Sequence, residues 1–376
     1  MKKTLLIFTM IITILITVSE NYDARSVESL AYVIAIGIDK SESEKENLKL
    51  TIQIAKPDSS ESGGTKIKSE TATVECNSFN LGLAMLNLSN ANELNLSHCT
   101  VIIISEELAK EGIETFIDTL ANNVEIRPTC NILISKESAE EFLSVTSEIE
   151  DISSKFYNSF VNSAKTISYT TPCQLSDFYS SLRDDVRAPR ALYSFVHEDT
   201  IETLGLAAFK DYKMVGQLSG LDTLCYNILT NNFEEATIEV YNPQEPSMPL
   251  SVNLTRSEDT EIKVKFQNDI PQATCSININ AKILSGSRNY DYSTEESLRV
   301  IESEIEKFLE QNIQNFLYKT SREYNSDIVG FEGFFRKNFL TQDELSKYDW
   351  NELYPKTEFN ITAQTYLKSG FLFSKN

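Results

Sequence analysis

The pattern that most restricts the fold of this chain is a long amphipathic stretch in its last quarter. Apolar residues recur there at helical spacing, and they are Leu298, Ile301, Ile305, Phe308, Leu309, Ile313, Phe316 and Leu317. Such a stripe predicts a helix of about 28 residues, ending near Tyr324, with one buried face. Ser293 and Glu296 form a capping-box pattern at its start. We expect Ile305 and Phe308 to lie beneath a sheet.

Strand-like segments lie on both sides of this helix in the sequence. Apolar and other residues alternate in residues 261–266, 276–283 and 359–366, which is typical of strands with one buried face. Strands, then a long helix, then a strand predict an α+β domain over residues 251–376.

The N-terminal part of the chain alternates strand and helix patterns instead. Continuous apolar runs at 30–39, 100–105 and 131–135 predict buried strands, and residues 48–55 alternate. Helical spacing appears at 78–90, 111–122 and 137–145. We predict an α/β domain with a mixed sheet over residues 20–150, and a connecting region and middle domain over 151–250. The fold class is therefore α+β or mixed α/β, with three domains and sheets flanked by helices.

The first 19 residues carry an export signal. Lys2 and Lys3 precede an apolar run at 5–18, which is short for a membrane-spanning helix and suits a signal peptide. Thr17 and Ser19 fit a cleavage site after Ser19, and an uncleaved membrane anchor is the alternative. Either way, we expect export across a membrane.

The net charge limits the kinds of partner that this chain can bind, and the cysteine spacing limits its metal and disulfide chemistry. The net charge of −21 disfavours nucleic acid and anionic lipid surfaces, so membrane attachment has to be hydrophobic. The six cysteines are Cys76, Cys99, Cys130, Cys173, Cys225 and Cys275. Their wide spacing contains no zinc pattern. We interpret them as buried free thiols, with pairing in an exported chain as the alternative.

Signs of catalysis are weak. His98 and His197 are the only histidines, which leaves little for a histidine metal cluster or a Ser-His-Asp relay. Phosphate-loop, dinucleotide and nucleophile-elbow motifs do not occur. Asp184 and Asp185 are interpreted as a solvated pair, and residues 41–46 lack a calcium-loop register. We predict no enzyme activity, no catalytic or metal site and no cofactor.

Two aromatic segments near the C-terminus are the candidates for partner docking. Residues 327–335 and 348–354 combine aromatic side chains with charge, and the docking candidates are Phe331, Phe334, Tyr348 and Trp350. A docking surface would use such anchors. The alternative is that these rings close the core of the C-terminal domain.

Three segments, in order, resemble the Ger(x)C family, the C subunits of GerA-type spore germinant receptors. They are residues 22–39, including the apolar strand that ends Gly37-Ile38-Asp39; residues 204–218; and residues 325–331 followed by 350–355. The resemblance implies three α/β-type domains and no enzyme activity. It also implies assembly with A and B membrane subunits on the outer face of the spore inner membrane. Such a complex senses germinants and triggers release of ions and dipicolinate.

One position departs from the family. Its members are typically lipoproteins, attached through a cysteine that precedes Trp-Asp. Here Asn21 stands at that position and Tyr22 replaces the tryptophan, and no cysteine occurs before Cys76. Lipid attachment at residue 21 is excluded because no thiolate is present. The alternatives to a receptor subunit are an exported solute-binding protein with a ligand pocket between domains and a carboxylate-based exported hydrolase.

Overall fold

The computed structural model describes residues 30–58, 66–145, 167–184, 186–197, 200–246, 248–286, 290, 292 and 294–368. The predicted export segment, Asn21, Asp185 and Ser293 lie outside these residues. Within the described ranges, no helix is both long and apolar enough to cross a membrane. The architecture is α+β, as predicted, and consists of two sheets with helices packed against them.

The first sheet contains nine strands in the order β3-β2-β1-β5-β6-β7-β8-β9, with β4 paired to β1. The strands are β1 (Leu30–Lys40), β2 (Leu48–Asp58), β3 (Lys66–Cys76), β4 (Glu93–Asn95), β5 (Val101–Ser105), β6 (Asn131–Ser135), β7 (Arg190–His197), β8 (Thr200–Lys210) and β9 (Lys213–Leu218). The central strands β1, β5, β6 and β7 are parallel, and the outer pairs are antiparallel. The sheet is therefore mixed, as the strand and helix alternation predicted.

Five helices of the described residues lie between the parallel strands of this sheet. They are α1 (Phe79–Ser89), α2 (Glu106–Glu111), α3 (Glu114–Ala121), α4 (Ala139–Ser144) and α5 (Leu175–Arg183). Every residue of β5 and β6 is buried. Neighbouring residues of β5 belong to two different apolar clusters, Ile102 to one and Ile103 to the other. The sheet is covered on both faces, which explains the continuous apolar runs in its sequence.

The second sheet contains five strands in the order β10-β11-β13-β12, with β14 paired to β13. They are β10 (Glu235–Tyr241), β11 (Pro249–Arg256), β12 (Glu261–Gln267), β13 (Ile270–Ser285) and β14 (Glu358–Lys368). Helix α6 (Gly220–Leu229) joins the two sheets in sequence, and α7 (Glu295–Tyr318) precedes the short helices α8 (Phe331–Phe335), α9 (Gln342–Leu345) and α10 (Trp350–Leu353). Buried and exposed residues alternate along β10 and β12, so this sheet buries mainly one face.

Helix α7 begins and ends slightly away from the predicted points. Its N-cap is Thr294, whose side chain accepts a hydrogen bond from the Ser297 backbone; the predicted cap, Ser293, is outside the described residues. A π-helical turn, Lys319–Glu323, follows. There the Ser321 hydroxyl donates to the Leu317 carbonyl at 2.6 Å, and a hydroxyl in this position competes with helical hydrogen bonding. Ile305 is buried, as predicted.

Phe308 is only half-buried, so the prediction that it is buried beneath the sheet was wrong.

Three glutamates on α7 also contact the sheet from the side. Glu302, Glu306 and Glu310 each accept a backbone N–H of β14 at 2.9–3.0 Å. They are four residues apart and lie in one row beside the outer edge of the strand.

The described part of the middle region does not form a sheet of its own. Strands β7, β8 and β9, which lie in the predicted connecting region and middle domain over residues 151–250, continue the first sheet through the parallel pairing of β6 with β7. Strand β10 belongs to the second sheet. The reason is that a strand pairs wherever its backbone groups find a neighbour, and β6 offers an open edge to β7. The prediction that the chain folds as separate domains with boundaries at residues 150 and 250 remains a prediction.

Candidate functional site

A buried aspartate organises the aromatic segments that were predicted as docking candidates. One carboxylate oxygen of Asp327 accepts the backbone N–H of Gly330 at 2.9 Å and of Phe331 at 3.0 Å. The other accepts the backbone N–H of Glu332 and the indole N–H of Trp350, both at 2.9 Å. Asp327 thereby caps the start of α8 and ties it to α10.

Burial opposes these hydrogen bonds in setting the acidity of this carboxyl. Burial raises the pKa of Asp327 to about 6, although the four N–H donors favour the charged form. The side chain is thus a carboxylate at neutral pH, held in an apolar surrounding by donors from two segments. Removing any donor would leave a buried charge less well compensated.

Aromatic rings surround this carboxylate and form one connected cluster, here called the aromatic cluster. Its members are Phe266, Phe331, Phe335, Phe339, Tyr348, Trp350, Tyr354 and Phe359. The Phe335 and Trp350 ring centroids are 4.9 Å apart, and those of Phe266 and Tyr348 are 4.8 Å apart. Because Phe266 lies on β12 and Phe359 on β14, the cluster fastens the short C-terminal helices to the second sheet.

The four predicted docking residues are close together but differ in exposure. Phe331 is 0 % exposed and Trp350 is 7 % exposed, so both are part of the core. Phe334 and Tyr348 are half-buried. The Lys337 ammonium lies 4.7 Å from the centre of the Phe334 ring, a cation–π contact at the surface. The structure therefore places Phe331 and Trp350 as the core interpretation expects, and leaves Phe334 and Tyr348 partly accessible.

The same segment joins the two sheets. The Ser326 hydroxyl donates to the Phe209 carbonyl of β8 at 2.6 Å, and the Ala188 N–H donates to the Asp327 carbonyl at 2.8 Å. The Tyr324 hydroxyl donates to the Gln217 carbonyl of β9 at 2.9 Å. Its ring lies on Gly216, where an added Cβ would come within 2.2 Å of the ring. These contacts hold the segment that precedes α8 against the first sheet.

The two histidines lie outside the cavity beside Asp327, whereas Asp184 lines that cavity together with Asp327 and Trp350. His98 is exposed and stacks edge-on against Tyr32, and His197 is exposed at the end of β7. Among the residues with a described position, no group of three histidine, cysteine or carboxylate side chains is placed to hold a metal ion. Residues 41–46 form a turn, and Asp184 is exposed.

All six cysteines are buried and unpaired, in agreement with their interpretation as free thiols. Cys99 and Cys130 are nearest to each other, with sulfurs 3.7 Å apart. Burial raises the pKa of the Cys173 thiol to about 11 and that of Cys275 to about 12. Since the thiolate is the reactive form, these groups are inert at neutral pH.

The sequence reasoning missed the role of Asp327, which it named only as the first residue of an aromatic segment. A local signal was present, because an aspartate three to five residues before the start of a short helix can accept its free N–H groups. The bond to Trp350 is 23 positions away in sequence and has no local signal.

Comparisons with known proteins match this chain to spore germination proteins along nearly its whole length. The family description "Spore germination protein N-terminal domain" matches residues 23–191, and "Spore germination B3/ GerAC like, C-terminal" matches residues 204–370. Together, the two matched regions place the chain among the spore germination proteins. The chain belongs to the Ger(x)C family, which confirms the resemblance seen in its sequence.

Similar proteins extend over most or all of the chain. Spore germination protein KC of Bacillus subtilis (strain 168) is 22% identical, with 98% of this chain and 96% of that protein aligned. Spore germination protein GerQC of Bacillus cereus is 21% identical over 75% of this chain and 77% of its own. The crystal structure of the GerBC protein aligns with a TM-score of 0.58 and 16% identity, covering 92% of this chain and 99% of that one. The GerBC likeness confirms the fold.

Proposed function

We propose that this chain is the non-enzymatic C subunit of a spore germinant receptor, needed for nutrient-triggered germination. In this proposal it lies on the outer face of the spore inner membrane with an A and a B membrane subunit. The main support for this proposal is that both family regions match the chain, in order, over residues 23–191 and 204–370.

The described residues support a role through contacts rather than catalysis. The buried carboxylate of Asp327 is fully occupied by backbone and indole N–H groups, so it is a positioning group. A subunit of this kind passes on a signal by binding its partners more strongly in one state of the complex than in another. In this proposal, residues 324–327 connect the first sheet to the aromatic cluster on the second sheet. A difference in partner binding at one sheet would be transmitted to the other through this segment.

The N-terminal sequence supports the proposed location. Lys2, Lys3 and the apolar run at 5–18 are typical of an export signal, and Asn21 provides no thiolate for lipid at the family's attachment position. The native protein should fractionate with spore membrane and be digested by protease added from outside. Metabolic labelling with a palmitate analogue should leave it unlabelled. A lipidated family member in the same spores is the positive control, and a labelled band for this chain would contradict the proposal.

The decisive experiment combines removal and co-purification. Spores lacking this chain should germinate more slowly with at least one nutrient, and a tagged chain should recover a multi-spanning partner from spore membranes. Recovery is the test because association with partners is what separates a receptor subunit from an isolated binding protein. Normal germination with every nutrient tested, together with purification of the chain alone, would reject the assignment.

A further inference from the structure

Helix α1 carries apolar side chains on two opposite sides. Phe79 and Leu86 are buried against the first sheet. Leu81, Met85 and Leu88 lie on the other side of the helix and are 49%, 41% and 88% exposed. They are four and three residues apart, so they form one stripe along the helix, here called the exposed face of α1. A helix that is apolar on all sides is normally covered on all sides.

Charge does not interrupt this exposed face. Residues 76–92 contain no charged side chain, although 24% of the whole chain is charged. Val124, which is 99% exposed, adds an apolar side chain across the open groove beside α1. Single exposed apolar residues are common on protein surfaces, but a contiguous apolar patch typically marks contact with a protein or a membrane.

The exposed face lies beside the point where the N-terminal segment joins the fold. Strand β4 follows α1 in sequence and pairs in parallel with the start of β1, with Leu94 opposite Ala31. The Asn87 side chain of α1 accepts the Leu94 N–H at 2.9 Å. Leu88, the most exposed residue of the face, is therefore adjacent to a residue that is bonded to the strand next to β1. The last turn of α1 and the first described residues share one edge of the molecule.

A lipid bilayer is the partner that fits both the chemistry and the position of this face. The apolar run at 5–18 is typical of a signal peptide or a membrane anchor, and residues 19–29 separate it from β1. Those eleven residues span at most about 40 Å when fully extended, so a bilayer that holds the run is within reach of α1. Because the net charge of −21 opposes attraction to anionic lipid, contact with the bilayer has to be made by uncharged apolar side chains. The exposed face of α1 supplies such side chains.

We propose that the exposed face of α1 rests on the lipid bilayer, with Leu81, Met85 and Leu88 in the interfacial region and Val124 beside them. This contact orients the first sheet relative to the membrane, which a single extended tether would leave free to rotate. The inference rests on the proposed membrane location but not on the assignment as a receptor subunit. It is therefore tested with lipid alone, whereas germination and co-purification test the assignment.

The contact is tested with the purified full chain, including residues 1–29, reconstituted in phosphatidylcholine vesicles. Leu88→Cys and Leu340→Cys are each labelled with the environment-sensitive fluorophore NBD, and the six buried native cysteines leave the introduced thiol as the accessible one. Leu340 is 96% exposed, in the segment before α9, and is the matched control. The label at position 88 should shift its emission to the blue and be quenched by brominated acyl chains, and the label at 340 should show neither effect. Equal quenching at the two positions, or none at 88, would overturn the proposal.

A second measurement separates the helix face from the attached fluorophore. The label is moved to Val124→Cys, once in the otherwise unchanged chain and once together with Leu81→Gln, Met85→Gln and Leu88→Gln. All three glutamines replace exposed side chains, so the melting temperature should be kept. They should abolish quenching at position 124, while sedimentation with the vesicles through the N-terminal run is retained. Quenching that survives the glutamines would mean that lipid does not contact this face.

The remaining outcomes identify which part of the inference fails. Vesicle sedimentation without quenching at Leu88 would reject the contact and leave the membrane location standing. A chain that does not sediment with vesicles at all would reject the contact and the location together. A blue shift at Leu88 that appears without vesicles and grows with protein concentration would show that a second copy covers the face, and would also overturn the proposal.

Discussion

The two sheets of this protein bury their strands differently. In the nine-stranded sheet, Ile102 and Ile103 are adjacent and both fully buried, because apolar clusters lie on both faces. In the five-stranded sheet, Ile238 is buried and Glu239 beside it is exposed. The stability of the first sheet therefore depends on every residue of its central strands, whereas that of the second sheet depends on alternate residues. This difference predicts where the molecule tolerates substitution.

The largest effect is expected at the face where α7 covers the second sheet. Ile305→Asp would bury an unpaired charge, and we expect a loss of roughly 4 kcal/mol or more in the free energy of unfolding. Gln311→Asp, on the exposed side of the same helix, is the matched control and should cost less than about 1 kcal/mol. Urea unfolding of both variants measures the difference. Similar stabilities would mean that α7 does not cover the sheet through this face.

The contrast between the sheets is tested directly by two pairs of alanine substitutions. Ile102→Ala and Ile103→Ala should each cost about 2–5 kcal/mol, because both create cavities. Ile238→Ala should cost a similar amount, but Glu239→Ala should change stability by less than about 0.5 kcal/mol. Thermal and urea unfolding give the four values. A neutral result for either β5 variant would show that one face of the first sheet is open.

Asp327 should make the stability of the molecule depend on pH in an uncommon direction. Its pKa is raised from 3.8 to about 6 in the folded protein, so protonation favours folding. This contribution is complete below about pH 4 and is lost as the pH rises through 6, amounting to about 3 kcal/mol.

The comparison that isolates this carboxyl is the wild type against Asp327→Asn, measured by urea unfolding between pH 4 and 7. The variant replaces one acceptor oxygen with an NH2 group at every pH, which lowers its stability by a constant amount. The informative quantity is therefore how the stability difference between the two proteins changes with pH. The wild type should lose stability relative to the variant as the pH rises. A difference that stays constant would mean that the pKa of Asp327 is ordinary.

Among the predicted docking residues, the smallest stability change is expected at Phe334, a half-buried ring on α8. Phe334→Ala should cost about 1 kcal/mol, because the ring is only half-buried, whereas Phe331→Ala should cost about 3–5 kcal/mol. If Phe334 contacts a partner, its variant should also slow germination and weaken recovery of the partner subunits at normal protein level. A stable Phe334→Ala protein with normal germination would reject docking at this residue.

The elements were predictable where one pattern determines one outcome. The continuous run at 30–39 and the stripe through Ile305 and Ile313 each allow a single interpretation, and both were confirmed as β1 and α7. Helix ends were less certain, because Thr294 and Ser293 are equally suitable caps by type.

Strand neighbours and the organisation around Asp327 could not be predicted. The pairing of β6 with β7 joins residues that lie about 60 positions apart, and no local pattern records it. The docking candidates were selected by residue type, which does not separate Phe331 in the core from Phe334 at the surface. That separation depends on which side of a five-residue helix faces β12 and β14.

The row of glutamates on α7 has a consequence for how copies of this protein behave when crowded together. An unpaired strand edge can accept a strand from another molecule, and such addition leads to aggregation. On β14, the N–H groups of Ala363, Thr365 and Leu367 are already bound by carboxylates from the same chain. An incoming strand would have to displace three charged acceptors at once. The edge that ends the fold is thereby protected from self-association without any additional strand or proline.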